Sequence, residues 1–156
     1  MRLVLLLPAL AWLCVSCSSA QPAFSLTAAS VDPTYACPAG AKDAAYDLHA
    51  TIHVHNGLSK AVTISSVTAE MKLTAVKGNW LEKVGDRYQA DNVKFEPTSV
   101  GAGATGTLNV TIPSACTGGV SGSSVSSSGQ YQVTMHVTTT SGTYSISAAN
   151  VHEILA

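Results

Sequence analysis

The stretch YDLHATIHVHNG at residues 46–57 decides the fold class of this chain. Apolar and polar side chains alternate along it up to residue 55, which is the pattern of a β-strand with one buried and one exposed face. The inward set consists of Tyr46, Leu48, Ala50, Ile52 and Val54. The Asn56-Gly57 pair that follows is a strong turn signal. The stretch therefore predicts a long strand that ends in a turn.

Further strands are predicted on both sides of this one. They span residues 24–31, 62–73, 93–95, 107–112, 130–140 and 143–155. The apolar parity of the segment 62–73 shifts at Ser65-Ser66, which indicates a bulge. We interpret residues 35–42 and 77–92 as irregular and the Ser/Gly-rich residues 116–129 as a mobile loop. Seven short strands separated by turn signals predict an all-β, antiparallel β-sandwich.

Several segments resemble the strand-turn-strand unit of bacterial extracytoplasmic immunoglobulin-like and fibronectin type III-like domains. They are residues 50–57 with 61–64, residues 99–112 and residues 129–137. The resemblance covers about residues 23–155 and implies a seven-stranded, immunoglobulin-like β-sandwich. The hallmarks of antibody domains are absent, because Ser114 stands where those domains carry Tyr, two residues before Cys116. Such a resemblance implies a fold and leaves the function open.

The amino-terminal residues predict export. Arg2 precedes the apolar run 3–13, which is too short to span a bilayer, and the small residues 16–20 follow it. Cleavage after Ala20 gives a signal peptide of residues 1–20 and a single domain of residues 21–156. Ser16-Cys17 also resembles the end of a bacterial lipobox, which gives a signal of residues 1–16 and a lipidated Cys17. The protein is thus expected to be secreted or periplasmic by the first route, and a membrane-anchored lipoprotein by the second.

Two cysteines, Cys37 and Cys116, remain after the signal is removed. In an oxidising compartment such a pair predicts one disulfide bond, and two buried free thiols are the alternative. The predicted strand order supports the bond. Cys37 precedes the strand 46–55 and Cys116 follows the strand 107–112, and both positions fall at the same end of an antiparallel sandwich.

Composition and motifs exclude several classes of function. The net charge is −1, charged residues make up 11% of the chain, and no basic run is present, so nucleic-acid binding has no electrostatic support. The sequence lacks Gly-x-Ser-x-Gly and His-Glu-x-x-His, and no cofactor is expected. We therefore predict a non-enzymatic binding, adhesion or envelope-structural module. Its partner is expected to be a protein or a glycan of the envelope or the extracellular space.

His53 and His55 are the candidate metal ligands. Residues i and i+2 of a strand face the same side, about 6.6 Å apart, a spacing that can chelate one ion. The segment 52–55 resembles the copper-ligand strand of Cu/Zn superoxide dismutases, without the downstream zinc loop of that family. The alternative function is therefore a small metal-binding or redox protein. We favour the interpretation that both histidines are solvent-facing residues of an ordinary strand.

Trp80 and Tyr88 are the candidate binding residues outside the strands. Both lie in the segment interpreted as irregular, and irregular loops on a rigid sandwich often carry recognition. Trp80 either packs against the core or forms an exposed platform beside Tyr88.

Overall fold

The computed structural model describes residues 23–118 and 127–156 of the chain. The predicted signal peptide, Cys17 and most of the predicted mobile loop lie outside these ranges. Within them, no helix has the length and apolar character needed to cross a membrane.

Eleven β-strand segments make up the described fold. They are β1 (Phe24–Val31), β2 (Thr34–Ala36), β3 (Ala44–Asn56), β4 (Val62–Lys77), β5 (Arg87–Ala90), β6 (Lys94–Glu96), β7 (Ser99–Val100), β8 (Thr105–Cys116), β9 (Ser128–Thr139), β10 (Gly142–Ser147) and β11 (His152–Leu155). The predicted bulge is confirmed, because the register between β4 and β9 shifts between Ile64 and Ser66.

The strands form two sheets with the topology of an immunoglobulin-like sandwich. One sheet has the order β1-β3-β8-β6, and the other has the order β2-β11-β9-β4-β5, with β10 also paired to β9 and β7 to β4. In immunoglobulin lettering these are strands A-B-E-D facing strands G-F-C, with β5 added beside strand C as in variable-type domains. All strand pairs are antiparallel except β2 with β11. The predicted immunoglobulin-like fold is therefore confirmed, and the shorter segments refine the seven-strand count.

The core lies between the two sheets and is built by alternation. Every second residue of β3 from Tyr46 to Val54 is buried, as predicted, and the same holds for β9 from Tyr131 to Val137. The largest fully buried side chains include Leu48, Ile52, Met71, Leu73, Leu108, Ile112 and Met135. Aliphatic side chains thus fill the sandwich along most of its length.

Three predictions about secondary structure are wrong. Tyr35 and Ala36, assigned to a loop, belong to β2 because β11 lies alongside them. Residues 87–90, interpreted as irregular, form β5 on the free edge of β4. The predicted last strand is interrupted between β10 and β11. There the Asn150 side chain bonds the backbone N–H and C=O of Val31, which draws the chain toward β1 in the opposite sheet.

The two ends of the sandwich differ in character. The N-terminal pole is the end where β1 begins and β3 ends, since Phe24 pairs with Asn56. The disulfide pole is the opposite end, where Cys37 and Cys116 are bonded with their Cα atoms 6.0 Å apart. The predicted disulfide is therefore confirmed. It ties the residue that follows β2 in one sheet to the last residue of β8 in the other.

Candidate functional site

Trp80 lies in the β4–β5 loop, residues 78–86, at the disulfide pole, and its ring is turned back onto the core. The indole packs over Gly129, where an added Cβ would lie 2.5 Å from an indole carbon. Its Nε1–H donates to the hydroxyl of Tyr131 at 3.1 Å and to the Glu82 carboxylate at 3.4 Å. Tyr131 in turn donates a short hydrogen bond to Glu82. These contacts anchor the loop to β9.

Tyr88 lies on the other side of β4 from Trp80. It pairs with Met71 across the β4–β5 ladder, and its side chain is 44% exposed. Its hydroxyl donates to the carbonyl of Pro113 on β8 at 3.4 Å, so the side chain bridges the two sheets. The structure thus gives the two predicted binding residues different neighbours and does not join them in one platform.

Among the large apolar residues that the structure describes, the two most exposed lie at the tip of the same loop. Leu81 is 82% exposed and Val84 is 59% exposed. The tip is held at both ends, by Trp80 and by a turn in which the Lys83 N–H donates to the Asp86 carboxylate at 2.8 Å. We call Leu81 and Val84 the apolar tip. The sequence analysis did not predict the apolar tip. The available signal was the presence of two aliphatic residues in a segment that contains glycine.

The phenols behind the tip act as hydrogen-bond donors rather than as bases. Burial raises the pKa of Tyr46 to about 12. Burial, followed by the hydrogen bond to Glu82, raises the pKa of Tyr131 well above its ordinary value. Tyr35 stacks on Tyr46 with ring centroids 3.9 Å apart. Both Tyr46 and Tyr131 therefore stay protonated at neutral pH and serve to position neighbouring groups.

His152 joins three elements of the fold at a buried site. It is 1% exposed, and its Nδ1 lies 2.7 Å from the carbonyl oxygen of Asp32. A carbonyl only accepts, so Nδ1 carries the hydrogen, and Nε2 accepts from the Tyr46 hydroxyl at 3.0 Å. The neutral ring thus links β11, β3 and the β1–β2 turn. Burial lowers the pKa of His152 despite the opposing effect of the Asp32 carbonyl.

The lowered pKa of His152 predicts a loss of stability in acid. Because the unfolded state takes up the proton first, the free energy of unfolding should fall as the pH drops below about 6.5, the ordinary histidine value. The loss should level off below the lower pKa of the folded state. Urea denaturation between pH 8 and pH 5 measures this, with His152→Asn as the matched variant, since its amide can still donate to the Asp32 carbonyl. An identical pH dependence in both proteins would contradict the assignment to His152.

The two candidate metal ligands are exposed on the outer face of β3, as expected from the alternation. Nδ1 of His53 lies 3.2 Å from the Thr107 hydroxyl on β8. The Nε2 atom of His55 lies instead beside Gly57, 3.5 Å from where a Cβ would stand. Among the residues that the structure describes, no group of three or more His, Cys, Asp or Glu side chains is placed to hold a metal ion. The two rings therefore have different neighbours.

We expect the double change His53→Gln, His55→Gln to alter the free energy of unfolding by no more than about 0.5 kcal/mol, as for ordinary surface substitutions. The opposite face of the same strand supplies the control. Ile52 is fully buried, so even Ile52→Val should cost about 0.5–1.5 kcal/mol. Urea denaturation of the three proteins decides this. Stoichiometric copper or zinc that is lost in the double variant, with a large fall in stability, would revive the metal-protein alternative.

No family model matches the chain, and no curated protein matches it. Among solved structures it is similar to AggA, the major subunit of aggregative adherence fimbriae type I from Escherichia coli. The identity is 9% and the TM-score 0.37, over 84% of this chain and 93% of that one.

A second similar structure is the seventh PapD-like domain of human CEP192, at 10% identity and a TM-score of 0.26, with 95% of each chain covered. At these TM-scores the similarities carry no functional argument. The class of protein is defined by the strand order of the chain itself, which is that of an immunoglobulin-like β-sandwich.

Proposed function

We propose that this protein is an exported, non-enzymatic binding module of the cell envelope or the extracellular space, and that it contacts its partner through the apolar tip at the disulfide pole. The observation that carries the proposal is the 82% exposure of Leu81 on a loop held to the core. Exposed aliphatic side chains on a rigid support favour contact with a partner, because little conformational freedom is lost on binding. In immunoglobulin-like sandwiches the loops cluster at the two ends, and in antibody variable domains the loops of one end form the binding site.

The position of the first described residues also supports binding at the disulfide pole. The described chain begins at the N-terminal pole, where the Gly57 N–H donates to the Ala23 carbonyl at 3.0 Å. Any anchor ahead of residue 23 therefore attaches at the end opposite to Leu81. An anchored domain would present the apolar tip away from the membrane, toward an extracytoplasmic protein or glycan.

Site-specific photo-crosslinking in the producing cells tests the proposal. A benzophenone amino acid at position 81 should give covalent adducts on irradiation. The same residue at position 68 is the control, because Thr68 is exposed on the outer face of β4, away from the loop. Equal adduct patterns at the two positions, or none at position 81 in exported protein, would overturn the proposal.

Lipid anchoring is a separate prediction of the lipobox-like sequence. If Cys17 is acylated, Cys17→Ser should move the protein from the membrane fraction to the soluble exported fraction, because the acyl chains supply the membrane affinity. Cys14→Ser is the matched control, since Cys14 leaves with the signal by either route. Fractionation followed by amino-terminal sequencing measures the outcome. A wild-type protein that is wholly soluble and begins at Gln21 would exclude the anchor.

A further inference from the structure

Most of the edge strands that the structure describes carry a feature that hinders pairing with a further strand. β2, β5 and β7 are no longer than four residues. β6 contains Lys94 and Glu96, and a bulge between Leu26 and Ala28 interrupts β1. Short strands, charges and bulges are devices that keep sheet edges from associating. β10 differs, because it is a six-residue strand whose sequence, GTYSIS, contains neither a charged residue nor a proline.

β10 presents a row of backbone hydrogen-bonding groups on its outer edge. It pairs with β9 on one side, and none of the other described strands pairs with its other side. The Ala148 N–H donates to the Val133 carbonyl at 2.9 Å, in register with the β9–β10 ladder. Because the bonds alternate along an antiparallel ladder, the N–H and C=O groups of Thr143, Ser145 and Ser147 point away from β9. These three residues are exposed.

The side chains of β10 alternate between the two faces of the sheet. The exposed face carries hydroxyl groups, and the inner face carries the half-buried Tyr144 and Ile146. The adjacent β1 of the other sheet is also uncharged, and its Phe24 ring packs on Tyr144 with the centroids 5.1 Å apart. This side of the sandwich offers no charge to a charged segment. It therefore suits an uncharged strand in which hydroxyl and apolar side chains alternate.

β10 is itself such a strand, and it is complementary to a second copy of itself. Antiparallel pairing about Ser145 places Thr143 opposite Ser147 and Tyr144 opposite Ile146. Each pair occurs twice, and both are of kinds that stabilise sheets, hydroxyl with hydroxyl and aromatic with β-branched. In this register every outward-pointing N–H and C=O group of the two strands has a partner. Any other register that keeps the two faces aligned leaves some of these groups unpaired.

We infer that the protein forms a two-fold symmetric dimer in which the β10 strands of two copies pair antiparallel about Ser145. The contact uses the same surface on both copies, so it closes at the dimer and leaves no free edge for growth. Antiparallel pairing directs the two disulfide poles in opposite directions. The dimer thus presents one apolar tip at each end, although the inference does not depend on the role proposed for that tip.

The association is expected to be of moderate strength. The pairing of two short strands falls below the roughly 1,200 Å² at which stable protein interfaces begin. We expect a dissociation constant of about 10–100 μM, within the range of weak specific contacts. Sedimentation velocity of the purified exported protein between about 10 μM and 1 mM covers this range. The wild type should shift from monomer to dimer as its concentration rises.

The position of Ser145 on the two-fold axis provides the decisive test. Any side chain at position 145 faces its own copy, so Ser145→Lys and Ser145→Glu each oppose two like charges and should weaken the dimer. An equal mixture of the two variants opposes unlike charges. It should dimerise about tenfold more strongly than either variant alone. Both changes remove the same 2.7 Å contact between the Ser145 hydroxyl and Nδ1 of His136, so the variants are matched in this respect.

Thr68→Lys and Thr68→Glu are the control variants. Thr68 is exposed in the same row of the outer face, since it pairs with His136, which pairs with Ser145 on its other side. These variants should dimerise like the wild type, alone or mixed. Urea denaturation verifies that all four variants fold.

Three results would overturn the inference. One is a wild type that stays monomeric at about 1 mM, which is also the result expected if β10 instead receives an extended segment of another protein. Another is a dimer that neither change at position 145 weakens. The last is a mixture of Ser145→Lys and Ser145→Glu that associates no better than its components. Each would leave the proposed function standing, because crosslinking from position 81 tests that function separately.

Discussion

We expect loss of the Cys37–Cys116 bond to lower the free energy of unfolding by about 4 kcal/mol. The two cysteines are 79 residues apart in sequence, so the bond restricts a large part of the unfolded chain. It also joins the two sheets at the disulfide pole. Against a typical stability of about 5–15 kcal/mol, the reduced protein would be marginally folded.

Urea denaturation with and without a reductant measures this effect. The double variant Cys37→Ala, Cys116→Ala is the control, because it should be as unstable as the reduced wild type and should not respond to the reductant. A midpoint for the oxidised wild type that the reductant does not change would contradict the prediction. Two alkylatable thiols in the native, oxidised protein would do the same.

Local pattern was sufficient to predict the long strands. The alternation of residues 46–55 predicted which side chains of β3 are buried, and the parity shift at Ser65-Ser66 predicted the bulge in β4. The disulfide also followed from sequence, since strand order alone brings Cys37 and Cys116 to one end. These features depend on residues close together in the chain or on the direction of successive strands.

Features that depend on distant partners could not be predicted in this way. The three residues of β2 become a strand because β11, about 120 residues later, lies beside them. His152 looked like a residue of a final strand, and its role depends on Tyr46 and Asp32 across the core. The interruption between β10 and β11 likewise depends on the contact of Asn150 with Val31.

Only the location of the candidate site in the chain could be predicted from the sequence. The irregular segment 77–92 was identified as the region with recognition potential, and Trp80 and Tyr88 were named in it. Sequence could not show that Gly129 gives Trp80 room to turn inward, or that this leaves Leu81 and Val84 outside. Exposure of an aliphatic residue depends on the three-dimensional course of the loop, which carries no periodic pattern.

Substitution of Asn56 is the second change that we expect to lower the free energy of unfolding strongly. It was interpreted as a turn residue, yet it is fully buried at the end of β3. Its Nδ2 lies 2.9 Å from the Lys60 carbonyl, 3.0 Å from that of Val100 and 2.9 Å from that of Gly101. Its Oδ1 accepts from the Leu58 N–H at 3.1 Å. One side chain thus fastens the β3–β4 turn to the loop ahead of β8.

We expect Asn56→Ala to cost about 3–5 kcal/mol, because it leaves several buried backbone groups without partners. Asn56→Asp separates hydrogen bonding from volume, since it keeps the shape of the side chain and places an acceptor against three carbonyl oxygens. It should be at least as destabilising as Asn56→Ala above pH 5. Asn109→Ala, at an exposed position of β8, should change stability by no more than about 0.5 kcal/mol. If Asn56→Asp retains wild-type stability in urea denaturation, Asn56 acts by filling space and the hydrogen-bond explanation is wrong.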